Sequence, residues 1–385
     1  MGTKMKKKLL IMNDLAFGGG VEKLMYDLVM AWHEKYDITV LTYKHYENFY
    51  DQYPEDIKYI SQQVPKEYKS NFFVHVYSYI NRRLYESTLN WRIEKQNFDV
   101  LLCMKEGGMA KSALSYNVPL KYAWNHTDYN NHYYTASVFG DAMAELEAMK
   151  QFKNVVCVSQ DIKKGICDVI GDPGNLIVKY NPINVENVIK KSKEPVVDID
   201  SLDLPKEEQP VRFVSVGRIN EQKGYTMLIE VAKALEDEGY NFEIIVVGGK
   251  EEWPVEYDRI QALLEKIKPK CIKFIGARNN SYKYIACADW FISSSIYEGY
   301  SLVSQEAAVL DVPMLLTDCS GVRELLGDSE YGIVMPISII GIYRAMKRVL
   351  DEPSLHEHYK KKIMERKSII TYQERIREIE QLIEE

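Results

Sequence analysis

The sequence predicts an α/β protein built as two Rossmann-like domains. Three observations point there. The 385 residues exceed what one ordinary core organises and suit two α/β domains. Short runs rich in β-branched residues alternate with helical patterns in both halves, which implies right-handed βαβ crossovers and parallel sheets. Between the halves the pattern breaks. From Asn181-Pro182-Ile183-Asn184 to Pro210 the chain is polar and charged, including Lys190–Pro195 and Leu204–Gln209, as in a linker with an irregular entry.

In the first half the expected strands are Lys8–Met12, Ile38–Tyr43, Ile57–Ser61, Asp99–Cys103, Lys121–Trp124 and Asn154–Ser159. Between the first two, Val21, Leu24, Met25, Leu28 and Trp32 recur at helical spacing and predict a buried stripe. The second half repeats the alternation with Val211–Val216, Phe242–Val247, Ile272–Ile275, Trp290–Ser293, Pro313–Thr317 and Ile333–Val334. From Ser338 onward the chain reads as helices with heavy surface charge. In the last of them, about Tyr372 to Glu385, Ile376, Ile379, Leu382 and Ile383 form an apolar stripe.

Composition excludes several classes. A net charge of −7 argues against a general nucleic-acid binder. The six cysteines contain no C-x-x-C pair and sit mostly in apolar runs, as reduced core thiols do. There is no His/Asp/Cys cluster at ligand spacing, so no metal site is expected. The basic start, Met1 to Lys8, leads into Leu9–Met12, too short for a signal-peptide core, and the chain is expected to be cytoplasmic. Tyr68 to Trp91 mixes Phe72, Phe73, Tyr77, Tyr79 and Trp91 with Lys69, Arg82, Arg83 and Arg92. One reading is peripheral contact with the inner membrane face. The other, a core helix with a charged back, suits the wide spread of aromatics better.

The segments that bear chemistry lie where strands end. Gly18-Gly19-Gly20-Val21-Glu22 follows the first strand and opens a helix, where glycines let the backbone approach an anion. The full G-x-G-x-x-G fingerprint is missing, and a plain tight turn fits equally. Val216-Gly217-Arg218-Ile219-Asn220-Glu221-Gln222-Lys223-Gly224 follows the first strand of the second half. Arg218 and Lys223 would project from that strand's carboxyl end, where open α/β sheets bind ligands. A forked guanidinium and a movable ammonium suit a diphosphate. A surface salt-bridge pair would leave their glycine-flanked placement unexplained. Tyr297-Glu298-Gly299-Tyr300-Ser301-Leu302-Val303-Ser304-Gln305-Glu306-Ala307 puts Glu298 in a loop and Glu306 on the following helix. Their spacing corresponds to roughly 12 Å of helical rise, the reach from a hexose across a diphosphate to a ribose. In the first half, His126 follows a strand beside Asn125 and Asp128, and Lys105-Glu106-Gly107-Gly108 is a candidate acceptor-side loop.

With these pieces in order, the chain resembles the GT-B fold retaining glycosyltransferases of glycosyltransferase family 4, the group 1 glycosyl transferases. The resemblance rests on Gly19-Gly20-Val21-Glu22, the Gly-Arg-x-x-x-Gln-Lys-Gly segment at Gly217–Gly224, the Glu-x7-Glu pair, and Thr317-Asp318-Cys319-Ser320-Gly321-Val322-Arg323-Glu324. It implies two Rossmann-like domains facing each other across a donor-binding cleft. The first spans 1–185 on the acceptor side, and the second, 186–369, binds the nucleotide sugar. A tail of about 370–385 packs back on the first domain. Residue by residue, it implies that Arg218 and Lys223 hold the donor diphosphate, that Glu298 meets sugar hydroxyls, and that Glu306 binds the ribose. Backbone N–H groups near Gly299, Tyr300, Ser301 and Leu302 would meet the sugar. Gly19 and Gly20 would close over the phosphates, with Gly217 lining the site, and His126 would face the donor sugar. No cofactor or metal is implied beyond the donor, expected to be a UDP-sugar. The implied reaction moves a hexose, with retention, to a saccharide or lipid-linked saccharide in surface polysaccharide synthesis. Many relatives have Gly or Pro where this chain has Ser301, which bears on sugar selection. A GT-B sugar-nucleotide epimerase and a catalytically inactive, partner-binding GT-B subunit are the alternatives. The first fits the Gln222-Lys223-Gly224 context less well, and the second would have lost Arg218, Lys223, Glu298 and Glu306.

Overall fold

The structure, a computed structural model, describes residues 6–14, 19–43, 53–61, 84, 87–250, 255–370 and 372–384. The chain divides into two compact units, Met1–Pro182 with Gln373–Glu385, and Ile183–Tyr372.

The first unit holds a seven-stranded sheet: β1 (Lys8–Asn13), β2 (Asp37–Thr42), β3 (Lys58–Ser61), β4 (Val100–Cys103), β5 (Leu120–Asn125), β6 (Asn154–Cys157) and β7 (Leu176–Val178). Their spatial order is β3-β2-β1-β4-β5-β6-β7 and every pairing is parallel. β1 is central, with Ile11 opposite Val40 on one side and Leu102 on the other. It is covered on both faces: Leu9, Leu10, Ile11 and Met12 are fully buried. That is why the strand reads as an unbroken apolar run rather than an alternating one.

The second unit repeats this plan with β8 (Val211–Val216), β9 (Phe242–Val247), β10 (Ile272–Gly276), β11 (Trp290–Ser293), β12 (Met314–Thr317) and β13 (Ile333–Met335). The order is β10-β9-β8-β11-β12-β13, again all parallel. In each sheet the winding reverses beside the first strand, between β1 and β4 and between β8 and β11. At such switch points the loops leaving the two strands part and open a crevice beyond their carboxyl ends.

The helix Gly20–Trp32 buries Leu24, Met25, Leu28 and Trp32, with Val29 added and Val21 only half-buried at its start. β7 was not expected, because Leu176-Ile177-Val178 is too short to show a pattern. Of the aromatic and basic stretch Tyr68–Trp91, residues 68–83 and 85–86 lie outside the described residues. In the part that is described, Leu89 and Ile93 are buried while Leu84 and Trp91 are exposed, with the Lys95 ammonium 3.8 Å over the Trp91 ring. Among the described residues no helix is long and apolar enough to cross a membrane.

The helix Tyr372–Glu384 buries Ile376, Ile379, Leu382 and Ile383. From Gln373 onward it belongs to the first unit. Tyr122 on β5 donates to the Leu382 carbonyl at 2.6 Å, Lys7 to the Ile383 carbonyl at 2.7 Å, and the buried Arg375 to the Asn181 carbonyl at 2.7 Å. Ile379→Ala would remove side-chain volume from a packed site at a cost of about 2–4 kcal/mol. Hydrogen exchange at the β5 amides should accelerate accordingly. Unchanged β5 protection would contradict the packing described.

Candidate active site

The site in the second unit is built across the β8/β11 switch point. β8 ends at Val216, and the chain then runs through Gly217 and Arg218 to a single 3-10 turn at Glu221–Lys223. Gly224 is required there by close approach, and Gly217 leaves room for the Lys223 side chain. A Cβ at Gly224, whose φ is +59°, would lie 2.2 Å from the Ser294 carbonyl oxygen, and one at Gly217 would lie 2.6 Å from Lys223 Cε. The turn is thus pressed against the end of β11, and the Lys223 stem lies flat on Gly217. Ser294 Oγ donates to the Lys223 carbonyl at 2.8 Å, and the Ile296 amide donates to the Gln222 carbonyl at 2.7 Å.

This contact brings Lys223 and Glu298 together. Lys223 Nζ lies 2.6 Å from Glu298 Oε1, with the two side chains 15% and 12% exposed. Ser295 Oγ donates to the same oxygen at 2.8 Å. Gln222 Nε2 donates to the Tyr297 carbonyl at 3.0 Å and approaches Glu298 Oε2 only to 3.4 Å. Oε1 is therefore committed to its neighbours, while Oε2 keeps acceptor capacity for further donors. Arg218 is exposed at the rim of the same turn.

The loop after β11 is fixed from the next strand. Thr317 Oγ1, at the end of β12, donates to the Ser295 carbonyl at 2.5 Å, and Cys319 Sγ donates to it at 3.1 Å. Arg323 holds Asp318 in a two-pronged pair at 2.9 and 2.7 Å. The loop then enters the helix Leu302–Val309, capped by Ser301, whose hydroxyl accepts from the Ser304 amide at 3.3 Å. This gives Ser301 a local purpose that Gly or Pro could not serve. Gly299 and Tyr300 are buried just before the cap, Leu302 is half-buried as the first helical residue, and Glu306 is 5% exposed inside the helix.

The first unit places its residues around β1, β4 and β5. Gly19 is the N-cap of the helix Gly20–Trp32. A Cβ there would meet Glu22 Oε2 at 2.5 Å, so the Glu22 carboxylate already sits at the helix start, where its charge is favoured. Asn13 Nδ2 donates to Glu22 at 3.1 Å, and burial raises the Glu22 pKa above its ordinary value. Lys105, after β4, pairs with Asp14 at 2.6 Å.

His126 follows β5. Its Nε2 is 3.0 Å from the Met104 carbonyl oxygen and its amide donates to Glu106 Oε2 at 3.0 Å. Burial lowers the ring's pKa below its ordinary value, against the opposing pull of Glu106. Glu106 itself is 6% exposed. Its side chain turns inward. Ser295 and Tyr134, the latter donating to Glu106 at 2.9 Å, complete these arrangements without having stood out in the sequence, whereas Gln222 and Thr317 lie within the quoted motifs. Lone polar residues of these types carry no signal until a partner distant in sequence is placed beside them.

Known proteins share this architecture. Residues 18–187 match the family described as Glycosyltransferase Family 4, and residues 197–366 match Glycosyl transferases group 1. The chain is 28% identical over 193 residues to the N-acetylgalactosamine-N,N'-diacetylbacillosaminyl-diphospho-undecaprenol 4-alpha-N-acetylgalactosaminyltransferase of Campylobacter jejuni, covering 49% of this chain and 48% of that protein. It is 25% identical over 209 residues to the lipopolysaccharide core biosynthesis glycosyltransferase LpsE of Rhizobium meliloti, covering 54% of this chain and 57% of the relative. The similarity thus spans about half the length of these curated relatives. In structure it is similar to Anabaena HepE, solved in complex with UDP and glucose. The TM-score is 0.77 at 13% identity, covering 98% of this chain and 99% of that one. Two parallel Rossmann-like sheets of matching strand order, with matches to both families in sequence, place the chain among the group 1, family 4 glycosyltransferases of GT-B fold.

Proposed function

We propose that this glycosyltransferase moves a hexose from a UDP-linked donor, with retention at the anomeric carbon, to a saccharide or lipid-linked saccharide during surface polysaccharide synthesis. The observation that carries the reading is the Lys223–Glu298 pair at the β8/β11 switch point, with Glu306 on the helix that follows. Lys223 supplies a positive charge to the diphosphate, and the exposed Arg218 adds a fork for phosphate oxygens. Glu298 Oε2 accepts from sugar hydroxyls while Oε1 stays with Lys223. Amides from Gly299 to Leu302 face the sugar, and Glu306 accepts from the ribose. In the first unit, His126 is assigned to the sugar, and Gly19 and Gly20 to the phosphates. The UDP assignment is supported by HepE, solved with UDP and glucose. A lipid-linked acceptor is supported by the name of the Campylobacter relative, whose acceptor is a diphospho-undecaprenol.

In the proposed reaction the bond from the anomeric carbon to the diphosphate oxygen breaks as the bond to the acceptor oxygen forms on the same face. The acceptor proton passes to the leaving diphosphate. The protein's work is then to stabilise charge growing on that leaving group and to position the reactants.

Lys223→Ala should lower kcat by about a hundredfold or more, the scale of losing one oxyanion donor. Glu306→Gln, far from the breaking bond, should mainly raise the donor KM. Steady-state kinetics at saturating acceptor, with a thermal melt as control, checks both. A folded Lys223→Ala enzyme with near-normal kcat would contradict the assignment.

Turnover is also expected to persist in a chelator, since Arg218 and Lys223 neutralise the diphosphate. Loss of activity in the chelator, restored by magnesium or manganese, would contradict that expectation.

A further inference from the structure

The Glu106 carboxylate is costly where it stands. It is 6% exposed, and among the described residues no lysine or arginine forms an ion pair with it. An ionised carboxylate in such surroundings persists only when hydrogen bonds replace its water. Three donors do so here. The His126 amide reaches Oε2 at 3.0 Å, Tyr134 Oη reaches Oε1 at 2.9 Å, and Thr127 Oγ1 donates to Oε1. Burial works to raise this carboxyl, but the charge the His126 ring carries when protonated, with the Thr127 hydroxyl and the His126 amide, outweighs it and holds it below the usual carboxylate range. All three donors lie in the segment that follows β5, so one side chain from the end of β4 ties that segment down.

The same contact settles the His126 ring. The Met104 carbonyl can only accept, so Nε2 carries the proton. In the neutral ring Nδ1 is then bare and can accept a hydrogen bond. The ring reaches Met104 only while the His126 backbone stays where Glu106 holds its amide. Met104 and Glu106 leave the same strand end two residues apart, so the ring and the main chain of His126 are gripped by one short segment. A second buried acid, Glu145, anchors the far end of the β5 loop by accepting from Tyr129 at 2.6 Å and Thr135 at 3.0 Å. Neither of those donors is His126.

We propose that Glu106 is a positioning residue for His126, holding the β5 loop so that the ring keeps its Nε2–H tautomer and offers Nδ1 as an acceptor to a hydroxyl of the donor sugar. This rests on the reading of His126 as a donor-sugar contact. A leucine is close to Glu106 in volume but accepts no hydrogen bond, so it should release the His126 amide together with the Thr127 and Tyr134 hydroxyls. A glutamine is the milder change, since it can keep its oxygen on the amide and turn its NH2 to the hydroxyls, which also accept.

The test uses the full chain and compares Glu106→Leu, Tyr134→Phe and His126→Ala. Nitrogen-15 NMR of the imidazoles at neutral pH, with His126 identified by its loss in His126→Ala, should show a single Nε2–H tautomer in the wild type. In Glu106→Leu it should show a mixture, with kcat lowered between about ten- and a hundredfold and UDP affinity unchanged, as expected for a misplaced contact. Tyr134→Phe removes one donor only and should move both readouts the same way by less. It carries the test should Glu106→Leu fail to fold. An unchanged tautomer and kcat in a folded Glu106→Leu, or in Tyr134→Phe if the former is unfolded, would overturn the proposal. If His126→Ala lowers kcat in that case, the donor-contact reading stands without it. A normal kcat in His126→Ala would instead refute the donor-contact reading itself, and the positioning role with it.

Discussion

One ion pair organises the second unit. Lys223 leaves the end of β8, Glu298 leaves the end of β11, and their side chains meet at 2.6 Å with little exposure. Removing two charges from water costs about as much as their attraction returns, so such a pair is weak evidence for stability. Its consequence is positional. The Lys223 ammonium is held at the crevice by Glu298, the stem is held by Gly217, and Glu298 is oriented by Ser295 and Gln222. A cation fixed in this way needs little rearrangement when an anion arrives, which is the condition under which charge stabilises a reaction most. The surrounding loops serve the same end. Thr317 and Cys319 fasten the Ser295 carbonyl, and Ser301 caps the helix that bears Glu306.

The first unit reaches order by a different route. Two of its buried acids, Glu106 and Glu145, are satisfied by hydroxyls and an amide rather than by cations. Each spans the segment after β5, so the residues around His126 are pinned from two sides. Hydrogen bonds to a buried carboxylate are directional, and losing one leaves a desolvated charge. A loop held like this is restrained, as the role proposed for His126 requires.

The sheets were legible in the sequence because parallel strands covered on both faces read as near-continuous apolar runs, as Leu9–Met12 and Ile244–Val247 do. β7 was not, since three apolar residues carry no period. Arg218, Lys223 and Glu298 were recognisable as motif residues following strand ends, and Glu306 as one on the helix after them. The direct contact between Lys223 and Glu298 was not, because it joins positions 75 residues apart whose meeting depends on strand order. Ser301 stood out as a departure from relatives and proves to be a helix cap. Glu106 was read as a loop residue facing an acceptor. A glutamate beside two glycines looks solvated, and only the return of Thr127 and Tyr134 to the end of β4 shows that it is enclosed.

Calorimetric titration of UDP into the full chain in the presence of a chelator bears most directly on the switch-point assignment. The wild type should bind, and Lys223→Met should weaken binding by about tenfold or more, the scale of losing one hydrogen bond to a charged group. Equal UDP affinity in the wild type and in a folded Lys223→Met protein would contradict the placement of the donor diphosphate at Lys223.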